Sequence, residues 1–175
     1  GTGTGTADAR DRHAAQVART VREALVSMDR LVWEVKPGHD TWPALVDFLA
    51  QYGSDLLEDT GIRLQLDLPL DPPKVALTQA QQRHFLPLIK EALANVLKHS
   101  GADRVELSMA CEEKELTVVV CDNGRGFEMG GEGRLGGEQD GLGNLRNRAQ
   151  AMGGVLEVVS QPGQGTLVRC RVPWQ

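Results

Sequence analysis

The sequence predicts an α/β fold: a two-layer sandwich in which a mixed five-stranded sheet is covered by three helices, preceded by an N-terminal helix. Three observations carry that prediction. Apolar residues recur at helical spacing in stretches that end at glycine or Pro-Gly. Five shorter runs alternate apolar with polar residues or are apolar almost throughout, as half-buried and buried strands do. Four of those runs fall into two adjacent pairs separated by turn residues, which reads as two hairpins, and the helices between them need a sheet to cover their apolar faces.

The elements follow in order. Gly1-Thr-Gly-Thr-Gly-Thr6 is of low complexity and reads as a linker. Residues 7–36 hold one helix, from about Asp8 to Val35, with Val17, Val21, Ala24, Leu25, Met28, Leu31 and Val32 on one broad stripe, stopped by Lys36-Pro-Gly38. Residues 37–175 form the main domain. Asp40 or Thr41 caps its first helix, with Leu45, Phe48, Leu49, Tyr52 and Leu56 inside and an end at Gly61. Ile62 to Leu68 alternates as a half-buried strand and is closed by Pro69, Pro72 and Pro73. The next helix spans about Gln79 to His99. Phe85, Ile89, Ala92, Leu93 and Val96 share its apolar face, and a helical wheel groups Glu91, Asn95, Lys98 and His99 beside it.

Val105 to Cys111 and Leu116 to Cys121 form a hairpin turning near Glu113-Lys114. Glu128 to Asp140 carries five glycines and no apolar period, so it reads as a mobile loop of a length that usually serves function. Leu142 to Met152 is a short helix ended by Gly153-Gly154. Val155 to Ser160 and Thr166 to Val172 make the last hairpin, around Pro162-Gly163-Gln-Gly165.

Composition narrows the function. At 175 residues, 41% hydrophobic, the chain fits one domain with a short appendage. A net charge of -5 without a basic block argues against a nucleic-acid surface and offers nothing to an anionic membrane. No apolar run approaches the ~20 residues that span a bilayer and no signal segment opens the chain, so a cytoplasmic location is expected. Three cysteines, Cys111, Cys121 and Cys170, lack CxxC spacing and read as buried reduced thiols. The four histidines form no ligand pair, so no structural metal is expected.

Three stretches can carry chemistry. In Glu91-Ala-Leu-Ala-Asn-Val-Leu-Lys-His99, Glu91 and Asn95 are one turn apart, and asparagine is a weak helix former. A solvated face accounts for this stretch. So does a site in which Asn95 offers an oxygen to Mg²⁺, Glu91 serves as a base or orients water, and Lys98 or His99 meets phosphate. In Asp122-Asn-Gly-Arg-Gly-Phe127 an acid directly follows an apolar strand. An ordinary turn fits, and so does a carboxylate that accepts from an adenine amino group, with Gly124 and Gly126 admitting the base against backbone. Gly141-Leu142-Gly143 precedes a helix and would present backbone N–H groups to an anion; alone it is also plain loop chemistry. It is no Rossmann fingerprint, and no GxxxxGK[ST] loop occurs in the chain.

Taken together, Glu91...Asn95...Lys98-His99, Asp122-Asn-Gly-Arg-Gly126-Phe, Gly141-Leu-Gly143-Asn-Leu-Arg-Asn-Arg148 and Gly163-Gln-Gly-Thr166 resemble the N box, two glycine boxes and closing Gly-Thr of the GHKL ATP-binding superfamily. The short lid and the Lys-His ending are similar to the sensor histidine kinases that pair with helix-turn-helix response regulators. The match runs from about Leu31 to Pro173. The resemblance implies that Asn95 ligates Mg²⁺, that Glu91 sits near the γ-phosphate of ATP, and that Asp122 reads adenine with Thr166 nearby through water. It further implies that Gly124, Gly126, Gly141 and Gly143 shape the pocket and lid, the lid being the loop from Glu128 to Asp140.

In that family the phosphate passes to a histidine on a dimerisation helix and then to the receiver domain of a response regulator. His39-Asp40 lies in a Pro-Gly turn and His13 is followed by alanine. The expectation is therefore that 7–36 is a partial dimerisation helix of a membrane-anchored homodimeric sensor and that the acceptor lies elsewhere. A nucleotide-dependent interaction module without phosphotransfer, and a serine kinase or ATPase of the same superfamily, are the alternatives.

Overall fold

In the computed structural model, the described residues are Gln16, Thr20, 40–129 and 139–173. The chain divides into two units, Gly1–His39 and Asp40–Gln175. Of the first unit, Gln16 and Thr20 are helical, and the Thr20 hydroxyl donates to the Gln16 carbonyl at 3.0 Å. The rest of the expected lead-in helix lies outside the described residues, as does the loop from 130 to 138.

The second unit has the expected architecture. Its elements are α1 (Trp42–Leu57), β1 (Arg63–Asp67), α2 (Gln79–Asn95), a turn of π-helix (Val96–Ser100), β2 (Arg104–Cys111), β3 (Glu115–Asp122), α3 (Gln139–Ala151), β4 (Val155–Ser160) and β5 (Thr166–Pro173). The sheet order is β1-β2-β3-β5-β4. β1 runs parallel to β2 and all other pairs are antiparallel, which makes the sheet mixed.

Local chemistry sets the ends. Thr41, rather than Asp40, caps α1 by accepting the Ala44 N–H, and Pro43 sits in the first turn, where its missing N–H costs nothing. The helix stops at Leu57, before the expected Gly61, because the chain turns through positive φ at Asp59 and Gly61. Thr78 and Gln81 form a reciprocal capping box at the start of α2. Pro87 lies inside α2 and removes one intrahelical donor. The expected single helix to His99 instead ends its α-helical part at Asn95. It then widens into the π turn, closed by Gly101 at φ 61.

Register builds the core. One face of the sheet carries Leu107, Val120, Val168 and Val158 in one row across β2, β3, β5 and β4, and Met109, Val118, Cys170 and Leu156 in the next. α2 presents Phe85, Leu86, Ile89 and Leu93, all essentially sealed from solvent, and Trp42 of α1 meets Phe85 edge-on at 5.4 Å. α3 adds Leu145, Ala149 and Met152 at helical spacing and packs against α2. The opposite face is half-exposed: Val119, Cys121 and Leu167 flank an ion pair of Arg169 with Glu157 at 2.8 Å. Only Cys170 of the three thiols is fully buried; Cys111, at the end of β2, and Cys121, on the outer face of β3, are partly buried. β1, expected half-buried, is an edge strand with Leu66 exposed. His84 is half-buried on α2. Its Nδ1 is sealed without a partner, and burial, with Arg148 and Arg83 nearby, lowers its pKa.

Candidate functional site

The inner face has one polar row. Continuing the register past Leu107 and Val120, the next residues across the sheet are Val105, Asp122, Thr166 and Ser160. Along β3 the buried positions are Leu116, Val118, Val120 and Asp122, so the acid occupies a place that alternation reserves for an apolar side chain. Asp122 is only 7% exposed. Its Oδ1 accepts the Gly124 N–H at 2.8 Å. Burial raises its pKa, and the backbone N–H groups of Gly124 and Thr166 beside it pull the other way. Thr166 lies directly opposite Asp122, on the neighbouring strand.

The two readings of Asp-Asn-Gly divide between its residues. Asn123 does the turn chemistry: its Oδ1 accepts from the N–H of Asp103 and of Arg104, and its Nδ2 donates to Asp103 at 2.6 Å. Asp122 is left as a buried acid facing the inner layer. The glycines beyond it are required by the protein's own backbone. A Cβ on Gly124 would stand 2.2 Å from the Ser100 carbonyl oxygen, and Gly126, at φ +59, would set one 2.0 Å from the Gln161 carbonyl oxygen. The Ser100 carbonyl accepts the Arg125 N–H at 2.8 Å, so the end of the π turn is pinned against the glycine segment.

That pinning connects the acid to the second cluster, since the π turn begins immediately after Asn95. A Cβ on Gly141 would lie 3.3 Å from Glu91 Oε1 and 3.8 Å from both amide atoms of Asn95. The N-terminal turn of α3 therefore stands against Glu91 and Asn95, both half-buried on α2. The helix starts at Gln139, not Leu142, so Gly141 and Gly143 lie within its first turns and not ahead of it. The N–H groups of such a first turn have no partner within the helix. Gly143 has open space around it, and Leu142 is half-buried. Lys98 and His99 are exposed. Past Asn95 the π turn places successive residues at a different angle from the one a regular helical wheel assumes.

Sequence reasoning missed two buried hydroxyls. Ser160 is 5% exposed; its Oγ accepts the Phe127 N–H at 2.9 Å, donates to the Gly165 carbonyl at 3.0 Å and meets Thr166 Oγ1 at 2.9 Å. Ser100 donates to the Val96 carbonyl at 2.6 Å and accepts the Ala102 N–H at 3.0 Å. A polar residue at the inward position of a strand end was the available signal for Ser160.

The arrangement suits a nucleotide: an acceptor row for a base at the sheet end, and an amide and carboxylate beneath a helix N-terminus for phosphate and a hard cation. Asn95 and Glu91 offer oxygen donors, which fits Mg²⁺. Among the described residues no group of three or more His, Cys, Asp or Glu could hold a metal by itself, so the cation would draw most of its ligands from phosphate and water.

A five-stranded mixed sheet with helices on one face and these paired clusters defines a nucleotide-binding α/β sandwich. Residues 80–175 match the family described as histidine kinase-, DNA gyrase B-, and HSP90-like ATPase, and the chain belongs to it. It is 32% identical over 120 residues to the sensor histidine kinase LiaS of Bacillus subtilis, covering 69% of this chain and 32% of that protein. It is 36% identical over 114 residues to the nitrate/nitrite sensor protein NarQ of Escherichia coli, covering 65% of this chain and 19% of that protein. The chain thus spans a third or less of the length of these relatives. Its fold is similar to the histidine kinase domain of the Erythrobacter litoralis blue-light activated histidine kinase, with a TM-score of 0.60 at 23% identity over 76% of this chain and 61% of that one. Among the described residues no helix is long and apolar enough to cross a membrane.

Proposed function

We propose that this chain is the ATP-binding catalytic part of a two-component sensor histidine kinase, which transfers the γ-phosphate of ATP to a histidine on a dimerisation helix for relay to the receiver domain of a response regulator. The observation that carries the reading is the close approach of Gly141 to Glu91 and Asn95, which brings residues about 50 positions apart together at a helix N-terminus. Asp122 and Thr166 supply the acceptors for adenine. Asn95 holds Mg²⁺, which when bound would neutralise charge on the phosphate oxygens. Glu91 takes the proton of an incoming imidazole, and the amides at the start of α3 hold the phosphate in line. Lys98 and His99 stand at the rim, where they meet phosphate or the partner helix. Gly124 and Gly126 hold the glycine segment close enough for Asp122 to face the base.

In the same reading residues 7–36 belong to a dimerisation helix, residues 37–175 to the catalytic domain and residues 1–6 to a linker. The protein works on the cytoplasmic side of a membrane-anchored homodimer. Two measurements test this. Titration calorimetry should show Mg-ATP binding to the wild-type chain that Asp122→Ala removes; equal binding by both sinks the adenine assignment. Incubation with labelled ATP and an added dimerisation hairpin should yield an acid-labile phosphohistidine, and nucleotide binding without that product would reduce the chain to a switch.

A further inference from the structure

The three partners of the Ser160 hydroxyl fix where its proton lies. A serine hydroxyl has one hydrogen and two lone pairs. The Gly165 carbonyl can only accept, so the Ser160 hydrogen is committed there, and the Phe127 N–H can only donate, so it takes one lone pair. What remains for the 2.9 Å contact with Thr166 Oγ1 is the second lone pair. Thr166 is therefore the donor in that pair, and its own oxygen is left with lone pairs alone. Directly across the sheet, Asp122 is likewise an acceptor.

We propose that Ser160 is a positioning residue that locks Thr166 as an acceptor, so that the base subsite selects a purine carrying a 6-amino group over one carrying a 6-oxo group. The proposal rests on the nucleotide reading above and deepens it. At the 6-position an amino group points hydrogens at these acceptors, whereas an oxo group points lone pairs at lone pairs and keeps the edge hydrogen one ring atom away, on N1. A threonine with a free hydroxyl would rotate to serve either. Because Ser160 also takes the Phe127 N–H, the residue that sets the selectivity is tied to the root of the loop that begins at Glu128.

The test is calorimetric binding of ATP and of inosine triphosphate, each with Mg²⁺, to the whole chain. Wild type should prefer ATP by about tenfold or more, the scale set by leaving one polar group unpaired. Ser160→Ala should shrink that ratio by about five- to tenfold, roughly the loss of one hydrogen-bond orientation. Ser160→Thr, which keeps the hydroxyl, should restore it. Thr166→Val should shrink the ratio as much, and adding Ser160→Ala to it should change nothing further, an epistasis that a merely structural serine would not produce. An unchanged ratio in Ser160→Ala, or a full effect of Ser160→Ala in the Thr166→Val background, overturns the proposal while leaving ATP binding intact. Should Ser160→Ala not fold, Thr166→Val with the wild-type ratio overturns it. A wild-type chain that binds neither nucleotide overturns the ATP reading and this proposal together.

Discussion

Asp122 carries opposed duties. Placed on the buried face of β3 in the row beyond Val120, it is desolvated by the same packing that holds the core together, and its pKa rises. The folded chain thus binds this proton more tightly than the unfolded chain does. As far as this group is concerned, stability is greatest below the ordinary aspartate pKa, falls as pH rises through the folded value, and bears the full cost at neutrality. Asp122→Asn keeps an oxygen for the Gly124 N–H and removes the charge. It should raise the midpoint of thermal unfolding at about pH 7 and change it little near about pH 4. The same variant should bind ATP about 10- to 100-fold more weakly, because its amide would set N–H against N–H at the base. Parallel melts and titrations check both halves. Cys170 offers a second residue-scale test. Burial pushes its thiol up to about 12, so iodoacetamide at mild pH should label Cys111 and Cys121 while Cys170 stays unmodified until the domain unfolds. Labelling of Cys170 in the native protein would contradict the packing around β5.

Between elements, the glycines separate into those the fold needs and those it leaves free. Gly124→Ala must push the π turn away from β3, since the obstruction is a backbone carbonyl at 2.2 Å, and should destabilise the domain by about 1–3 kcal/mol. Gly143 lies inside α3 with nothing within 4 Å, so Gly143→Ala should stabilise the helix by about 0.5–1 kcal/mol. If α3 presents its first turn to phosphate, Gly143→Ala also weakens Mg-ATP binding. Gain in melting temperature together with loss of affinity is the expected signature; gain in both argues against a phosphate site there. The π turn is the element the sequence reading did not foresee. It ends a helix whose apolar period is unbroken, and its consequence is to carry Lys98 and His99 out to solvent while swinging the Ser100 carbonyl onto Gly124.

Over the whole domain, ligand linkage gives the broadest test. A ligand that binds only the folded state adds about 2.7 kcal/mol at 100 times its dissociation constant, worth roughly 2–4 °C per kcal/mol in a domain of this size. ATP with Mg²⁺ should therefore raise the melting midpoint by several degrees. If Asp122 rather than Asn95 meets adenine, Asn95→Ala should abolish the share of that shift which depends on Mg²⁺ and retain the rest. A shift indifferent to Mg²⁺ in the wild type would remove Asn95 from the metal. Much of this architecture was readable in advance: strand pairs, helix spans and the inner stripe of α2 follow from periods of 2 and 3.6, which the residues of each segment state locally. The mixed sheet could also be foreseen, because a helix separates β1 from β2 whereas short turns join β2 to β3 and β4 to β5.

By its own patterning the sequence determined the α/β sandwich, its five strands and the candidacy of Glu91, Asn95, Asp122 and Gly141, because alternation and turn chemistry act over a few residues and survive in any context. Only the tertiary structure decided which of these residues meet. Register placed Asp122, Thr166 and Ser160 in one row, and helix packing brought Gly141 to Glu91 and Asn95. The π turn set Lys98 and His99 among the exposed residues. The physical reason is that a hydroxyl such as Ser160 acquires its meaning from partners contributed by the neighbouring strand and by the segment after β3, and no local period encodes those.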